Sequence, residues 1–152
     1  MMTETAQILV AVIIIAIMIT VIIKRRKKFD IGKKYKNKVD IISGQQFEHF
    51  LSSLFYRMGY KNKVTKDSYD FGADLIVSDG RKRIVIQAKR YKSNVGIKAV
   101  QEVFSAMHYY DADKAYVFTN SLYTKSARKL AQKLGVQLCD RNQIEALRKK
   151  YF

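Results

Sequence analysis

Three polar residues, Asp74, Gln87 and Lys89, stand at the margins of two apolar, β-branched runs, Leu75-Ile76-Val77 and Ile84-Val85-Ile86. Asp79-Gly80 between the runs is a hairpin signal. With Asp79 and Gly80 as the two turn residues, Ser78 pairs with Arg81, and Asp74 faces Val85, diagonal to Gln87. Side chains alternate along a strand, so Val85, Gln87 and Lys89 share the face that Asp74 uses. Diagonal neighbours on a sheet stand roughly 7–8 Å apart, within reach of one shared metal ion. A carboxylate and an amide oxygen beside an ammonium suit the hydrolysis of a phosphodiester. Hard oxygen ligands, with the Ala88 carbonyl as a further candidate, hold Mg²⁺ as Lewis acid and water activator, and the lysine stabilises developing charge. The plain structural reading is that Asp74 caps or pairs and Lys89 ends a basic strand. Spacing alone does not separate the two.

The elements around the hairpin must position these groups. Ser43 as N-cap with Gln46 three residues on forms a capping box, and Ile42 can staple against Phe47. Phe47, Phe50, Leu51, Leu54, Phe55 and Met58 recur at helical spacing, with Glu48 at the edge of that stripe, His49 towards solvent, and Gly59 ending the helix. Residues 60–65 predict a lysine-rich edge strand. A second helix is expected over 95–110, presenting Ile97, Val100, Phe104 and Met107 on one face with Gln101 beside them. A short buried strand over 115–119, a helix over 124–134 ending at Gly135 and a strand over 136–138 follow. Asp140 with Gln143 caps a last helix towards Lys150. The order α-β-β-β-α-β, then α-β-α, predicts an α/β fold: a mixed sheet with helices on both faces.

Ahead of this domain, residues 6–23 are apolar apart from Gln7 and Thr20. At about 1.5 Å per residue they span roughly 27 Å, close to the hydrocarbon thickness of a bilayer. No positive n-region precedes the run and no small-residue cleavage site follows it, which argues for an anchor over a cleaved signal. Lys24–Lys28 (KRRKK) follows at once. The positive-inside rule then puts the N-terminus outside and the rest of the chain in the cytoplasm. The expected organisation is an anchor with its basic flank over 1–28, a lysine-rich connector over 29–40 and a folded domain over 41–152.

Charge narrows the partners. The chain carries 29 Lys and Arg against 13 Asp and Glu, a formal +16. Residues 29–152 alone keep 24 against 12, so the excess is not confined to the membrane flank. Such a surface favours an anionic partner, nucleic acid or an acidic membrane surface. The single cysteine, Cys139, excludes an internal disulfide and suits a small buried side chain. Two histidines and one cysteine do not make a structural zinc site, and no phosphate-loop signature is present.

The segments SGQQFEHFLSSLFYRMGY, DFGADLIV, IVIQAKRY, VGIKAVQEVFSAMHYY, AYVFTNSLYTKSA and VQLCDRNQI resemble, in that order, the Mrr-type restriction endonuclease domain of the PD-(D/E)xK nuclease superfamily. The resemblance covers residues 41–147. It implies the restriction-endonuclease-like fold, Mg²⁺-dependent cleavage of DNA and a site in which glutamine replaces the second acid. Carried over by position, Asp74, Gln87 and Lys89 are catalytic, and Asp74 and Gln87 bind metal together with Glu48 of the first domain helix. Asp70 and Gly72 fill the family's D-x-G-x-D pattern, Gly72 for a tight backbone approach and Asp70 in a structural place. Arg90, Lys92, Lys98 and Gln101 are candidate DNA contacts. The expected protein is a membrane-anchored endonuclease of prokaryotic type acting on foreign DNA, as a homodimer where both strands are cut. A catalytically silent, membrane-tethered DNA-binding scaffold of the same fold is the alternative. An anchor stands where family members often carry a DNA-recognition domain.

Overall fold

Ser43 opens the folded domain as expected. Its side chain accepts from the Gln46 amide and the Gln46 side chain accepts from the Ser43 amide, closing the capping box at the start of α2 (Gly44–Arg57). The computed structural model describes residues 4–35 (27–35 by backbone alone), 42–65 and 71–152. Asp70 therefore lies outside the described residues. The apolar N-terminal run forms α1 (Glu4–Tyr35), one helix of 32 residues. Its stretch Glu4–Arg26 is long and apolar enough to cross a membrane, and it is exposed along its length. The helix continues through the boundary expected at residue 28, so the first part of the connector is helical.

The strands β1 (Lys61–Val64), β2 (Leu75–Ser78), β3 (Arg83–Lys89), β4 (Lys114–Thr119) and β5 (Gln137–Cys139) lie in that order across one sheet. β1, β2 and β3 are antiparallel to their neighbours, while β3, β4 and β5 run parallel. The helices α3 (Ile97–Tyr109), α4 (Lys125–Leu134) and α5 (Arg141–Tyr151) complete the chain. Thr124 caps α4, Gly135 ends it at φ 71°, and an Asp140–Gln143 capping box starts α5. The expected element order and mixed sheet are the ones found.

Alternation along β2 and β3 gives the sheet two apolar faces. On one, Leu75, Val77, Ile84, Ile86 and Phe118 pack against Phe47, Phe50, Leu51, Leu54 and Phe55 of α2 and Ile144 of α5. On the other, Val85 and Val117 pack against Ala99, Val100, Val103 and Ala106 of α3 and Ala127 and Ala131 of α4. Each fully buried large side chain contributes about 1.5–3 kcal/mol by leaving water. Cys139 is buried in the first face, as expected of a small apolar side chain. Burial, with a smaller push from the Asp140 charge, raises its thiol to about 12.

Two local expectations are corrected. In the hairpin, Ser78 pairs with Arg83, not Arg81. The loop is Asp79–Lys82, because the Asp79 carboxylate accepts from the Arg81 and Lys82 amides and stabilises a wider turn. The shift is two residues, so each side chain keeps its face. In α3, the buried stripe is Ala99, Val100, Val103 and Ala106, and Ile97 is exposed. The small alanines let the helix sit close to the sheet, which rotates the larger side chains Phe104 and Met107 to the margin.

Candidate active site

The corrected register brings Asp74 directly across from Gln87. The Asp74 amide donates to the Ile86 carbonyl at 2.8 Å, one step beyond the Leu75–Ile86 pair. Its Oδ2 accepts from Gln87 Nε2 at 2.7 Å and from the Ala88 amide at 2.6 Å. A carboxylate only accepts, so the Gln87 side chain must turn its nitrogen towards Asp74. Among the described residues, that choice leaves Gln87 Oε1 buried and without a hydrogen-bond partner. Gln87 is 4% exposed, and an unsatisfied acceptor at that depth costs about 1–3 kcal/mol.

Lys89 lies two residues further along the same face of β3. Its ammonium pairs with Glu102 Oε2 of α3 at 2.9 Å, with both side chains largely buried. Lys98, one turn earlier on α3, approaches the same carboxylate at 3.9 Å from solvent. The apolar stripe of α3 faces the sheet, and this sets Glu102 over the end of β3. Gly72 sets the separation on the other side. At φ 90° it runs against the α3 backbone so closely that a Cβ would fall on the Glu102 carbonyl. The expected tight backbone approach is present, and its counterpart is Glu102.

The structure joins Asp74 to Gln87 and sets Lys89 two residues on along the same face, paired with Glu102, which the sequence reading did not single out. The available signal was the alanine spacing of α3, Ala99 and Ala106 around Val103. A stripe centred there turns Glu102, and not Gln101, towards the strands. Gln101 is exposed. Lys98 is engaged with Glu102, Arg90 is half-buried, and Lys92 is exposed just past the end of β3. Glu48 is half-buried on α2, whose apolar stripe packs on Leu75, Val77, Ile84 and Ile86. That layer covers the face opposite Gln87 and Lys89.

A hard divalent cation fits the oxygens present. Asp74 supplies a carboxylate and Gln87 an unused amide oxygen, both donors of the type that Mg²⁺ takes. Among the described residues no three His, Cys, Asp or Glu side chains cluster as a metal cage. A cation held here draws its other ligands from backbone and water, and Mg²⁺ commonly retains several waters.

The family model of the Mrr catalytic domain, described as restriction endonuclease, matches residues 39–147. No curated protein sequence matches the chain. Three solved structures share its fold. The modification-dependent restriction endonuclease AspBHI aligns at 18% identity and TM-score 0.57, over 83% of this chain and 35% of its own. The MspJI restriction endonuclease, solved in complex with a 27-mer oligonucleotide, aligns at 18% identity and TM-score 0.51, over 82% and 31%. The third is a protein of unknown function, AF1548, at 17% identity and TM-score 0.54, over 61% and 55%. The chain spans about a third of the length of either nuclease.

Proposed function

This chain belongs to the restriction endonuclease family, and from that premise we propose that it is a Mg²⁺-dependent DNA endonuclease held at the membrane by residues 6–23. The observation that carries the reading is the buried, unpartnered Oε1 of Gln87 beside the Asp74 carboxylate. Asp74 and Gln87 would hold the metal. Asp74 is itself positioned by the Ala88 amide, which fixes the orientation of its carboxylate. Bound there, the metal supplies Lewis acidity and a water of lowered pKa. Lys89 directs its ammonium at the phosphate oxygens and stabilises the charge that grows on them, and Glu102 holds that ammonium in place until substrate competes for it. The complex of MspJI with an oligonucleotide supports DNA as the partner. Lys92 and Lys98, exposed at the mouth of the site, neutralise backbone phosphates without reading sequence, so binding weakens steeply with salt.

The apolar α1 and the Lys24–Lys28 flank support a single-pass anchor with the domain on the cytoplasmic side. In that position the enzyme meets foreign DNA as it enters, which is a restriction role, and two copies supply the two sites that double-strand cleavage uses. The direct test is plasmid cleavage by the full chain in detergent. Nicking or linearisation with Mg²⁺, abolished by EDTA and by Asp74→Asn, is the expected result. Cleavage that persists in EDTA, or in Asp74→Asn, refutes the site. For topology, a reporter fused after Phe152 is active only in its cytoplasmic form; a signal from the outer side overturns the orientation.

A further inference from the structure

The parallel half of the sheet ends in three loops that meet beside Lys89. They are residues 90–96 after β3, residues 120–124 after β4, and the β5–α5 junction at Asp140. The Tyr91 amide donates to Asn120 Oδ1 at 2.8 Å, and the Arg141 amide donates to the Ser121 carbonyl at 3.1 Å. Between them lies a recess of about 600 Å³. It stands at the carboxyl ends of parallel strands, where open α/β sheets bind their ligands.

The lining has a definite chemical character. Asn94, Asn120 and Asn142 bring side-chain amides, each a donor and an acceptor. Lys92 and Arg141 bring positive charge. The Asp140 carboxylate at the β5–α5 junction is already committed to the amides of α5 and to Arg128 at 3.7 Å. Tyr91 presents a half-exposed ring, and it also lines the smaller recess of about 110 Å³ beside Lys89 and Glu102. A flat, hydrogen-bonding, anionic ligand matches amides, ring and cations together.

We propose that this recess takes one nucleotide of the DNA strand adjoining the bond to be cut. Tyr91 stacks on the base, Asn94 and Asn142 meet its edge, and Lys92 and Arg141 hold its phosphate. Tyr91, common to both recesses, sets the base next to the phosphate that Lys89 faces. The proposal rests on the DNA-cleavage reading above and extends it from backbone contacts to a base contact.

The test is ligand-observed NMR on the full chain in detergent micelles, with dAMP, deoxyadenosine and inorganic phosphate as probes. dAMP binds more tightly than either fragment. Tyr91→Ala weakens it about fivefold or more, the loss expected of one stacked base, while Tyr91→Phe restores it. Asn94→Ala/Asn142→Ala weakens dAMP and leaves phosphate unchanged. Lys133→Ala, exposed on α4 and outside both recesses, leaves dAMP affinity within about twofold. Phosphate binding as tightly as dAMP, or no effect of Tyr91→Ala, overturns the nucleotide site and marks an anion site only. Plasmid cleavage measured in parallel separates the two readings. Cleavage without dAMP binding removes this recess alone, and dAMP binding without cleavage removes the endonuclease alone.

Discussion

The β2–β3 hairpin carries polar residues at both of its ends, and the two ends use them in opposite ways. At the turn, the polar groups are answered by hydrogen bonds already made within the fold. Asp79 accepts two backbone amides, Ser78 Oγ accepts from Gly80, and the Arg83 amide donates to Asp113. These hydrogen bonds pull the Asp79 carboxyl below its usual range, that from Lys82 most strongly. At the other end Asp74 is shared between two donors, Gln87 keeps a buried oxygen without a partner, and Lys89 is held by a residue from a different element. The first arrangement spends its polar groups on shape. The second leaves a buried acceptor unanswered among the described residues, at a cost to stability that the apolar hairpin between them offsets.

Substitutions at the two ends should therefore separate activity from stability. The largest effect is expected from Asp74→Asn, which keeps an oxygen for the Ala88 amide and Gln87 but removes the charge. Plasmid cleavage should fall roughly a thousandfold, with unfolding free energy altered by less than about 1 kcal/mol. A variant that unfolds but still cuts would reverse the assignment. Lys89→Ala comes next, with cleavage down about 10²–10³-fold if it stabilises charge in the transition state. Gly72→Ala should act through stability, since a Cβ at positive φ also strikes the Glu102 backbone. A loss of about 2–4 kcal/mol in denaturant unfolding is expected, with cleavage falling alongside as α3 is displaced. The smallest effect belongs to the turn. Asp79→Ala should lower the melting temperature slightly and leave the cleavage rate unchanged. Because the folded carboxyl titrates below the unfolded value of 3.8, its contribution is present above pH 3.8 and fades as pH falls through the lower folded value. Wild type and Asp79→Ala should thus converge in acid, which thermal melts across pH would show.

The same comparison explains what could be read from sequence. The site end was legible because period-2 alternation fixes which side chains share a face, and a two-residue error in register preserves that parity. The turn was misread because the Asp-Gly pair signals a tight hairpin, whereas the Asp79 side chain competes for backbone amides and widens it. Capping boxes at Ser43 and Asp140 and the stop at Gly135 were readable because each is a local exchange of hydrogen bonds. The rotation of α3 was not readable from the largest apolar residues. Close packing of Ala99 and Ala106 decided it, and that depends on the surface that β3 and β4 form together beneath the helix. Glu102 was lost with it. The recess at the carboxyl edge was beyond reach for the same reason, since its walls come from three loops that only the strand order brings together.

The open edges of the sheet carry a further consequence. At one margin, β1 turns Lys61 and Lys63 outward; at the other, β5 is only three residues long. An unpaired strand edge invites hydrogen bonding by a second copy, and the hazard grows with crowding. Confinement to a bilayer would concentrate these domains in two dimensions with their edges at similar height. Short strands and repelling lysines make edge-to-edge joining unfavourable, so any pairing of copies would leave these edges free.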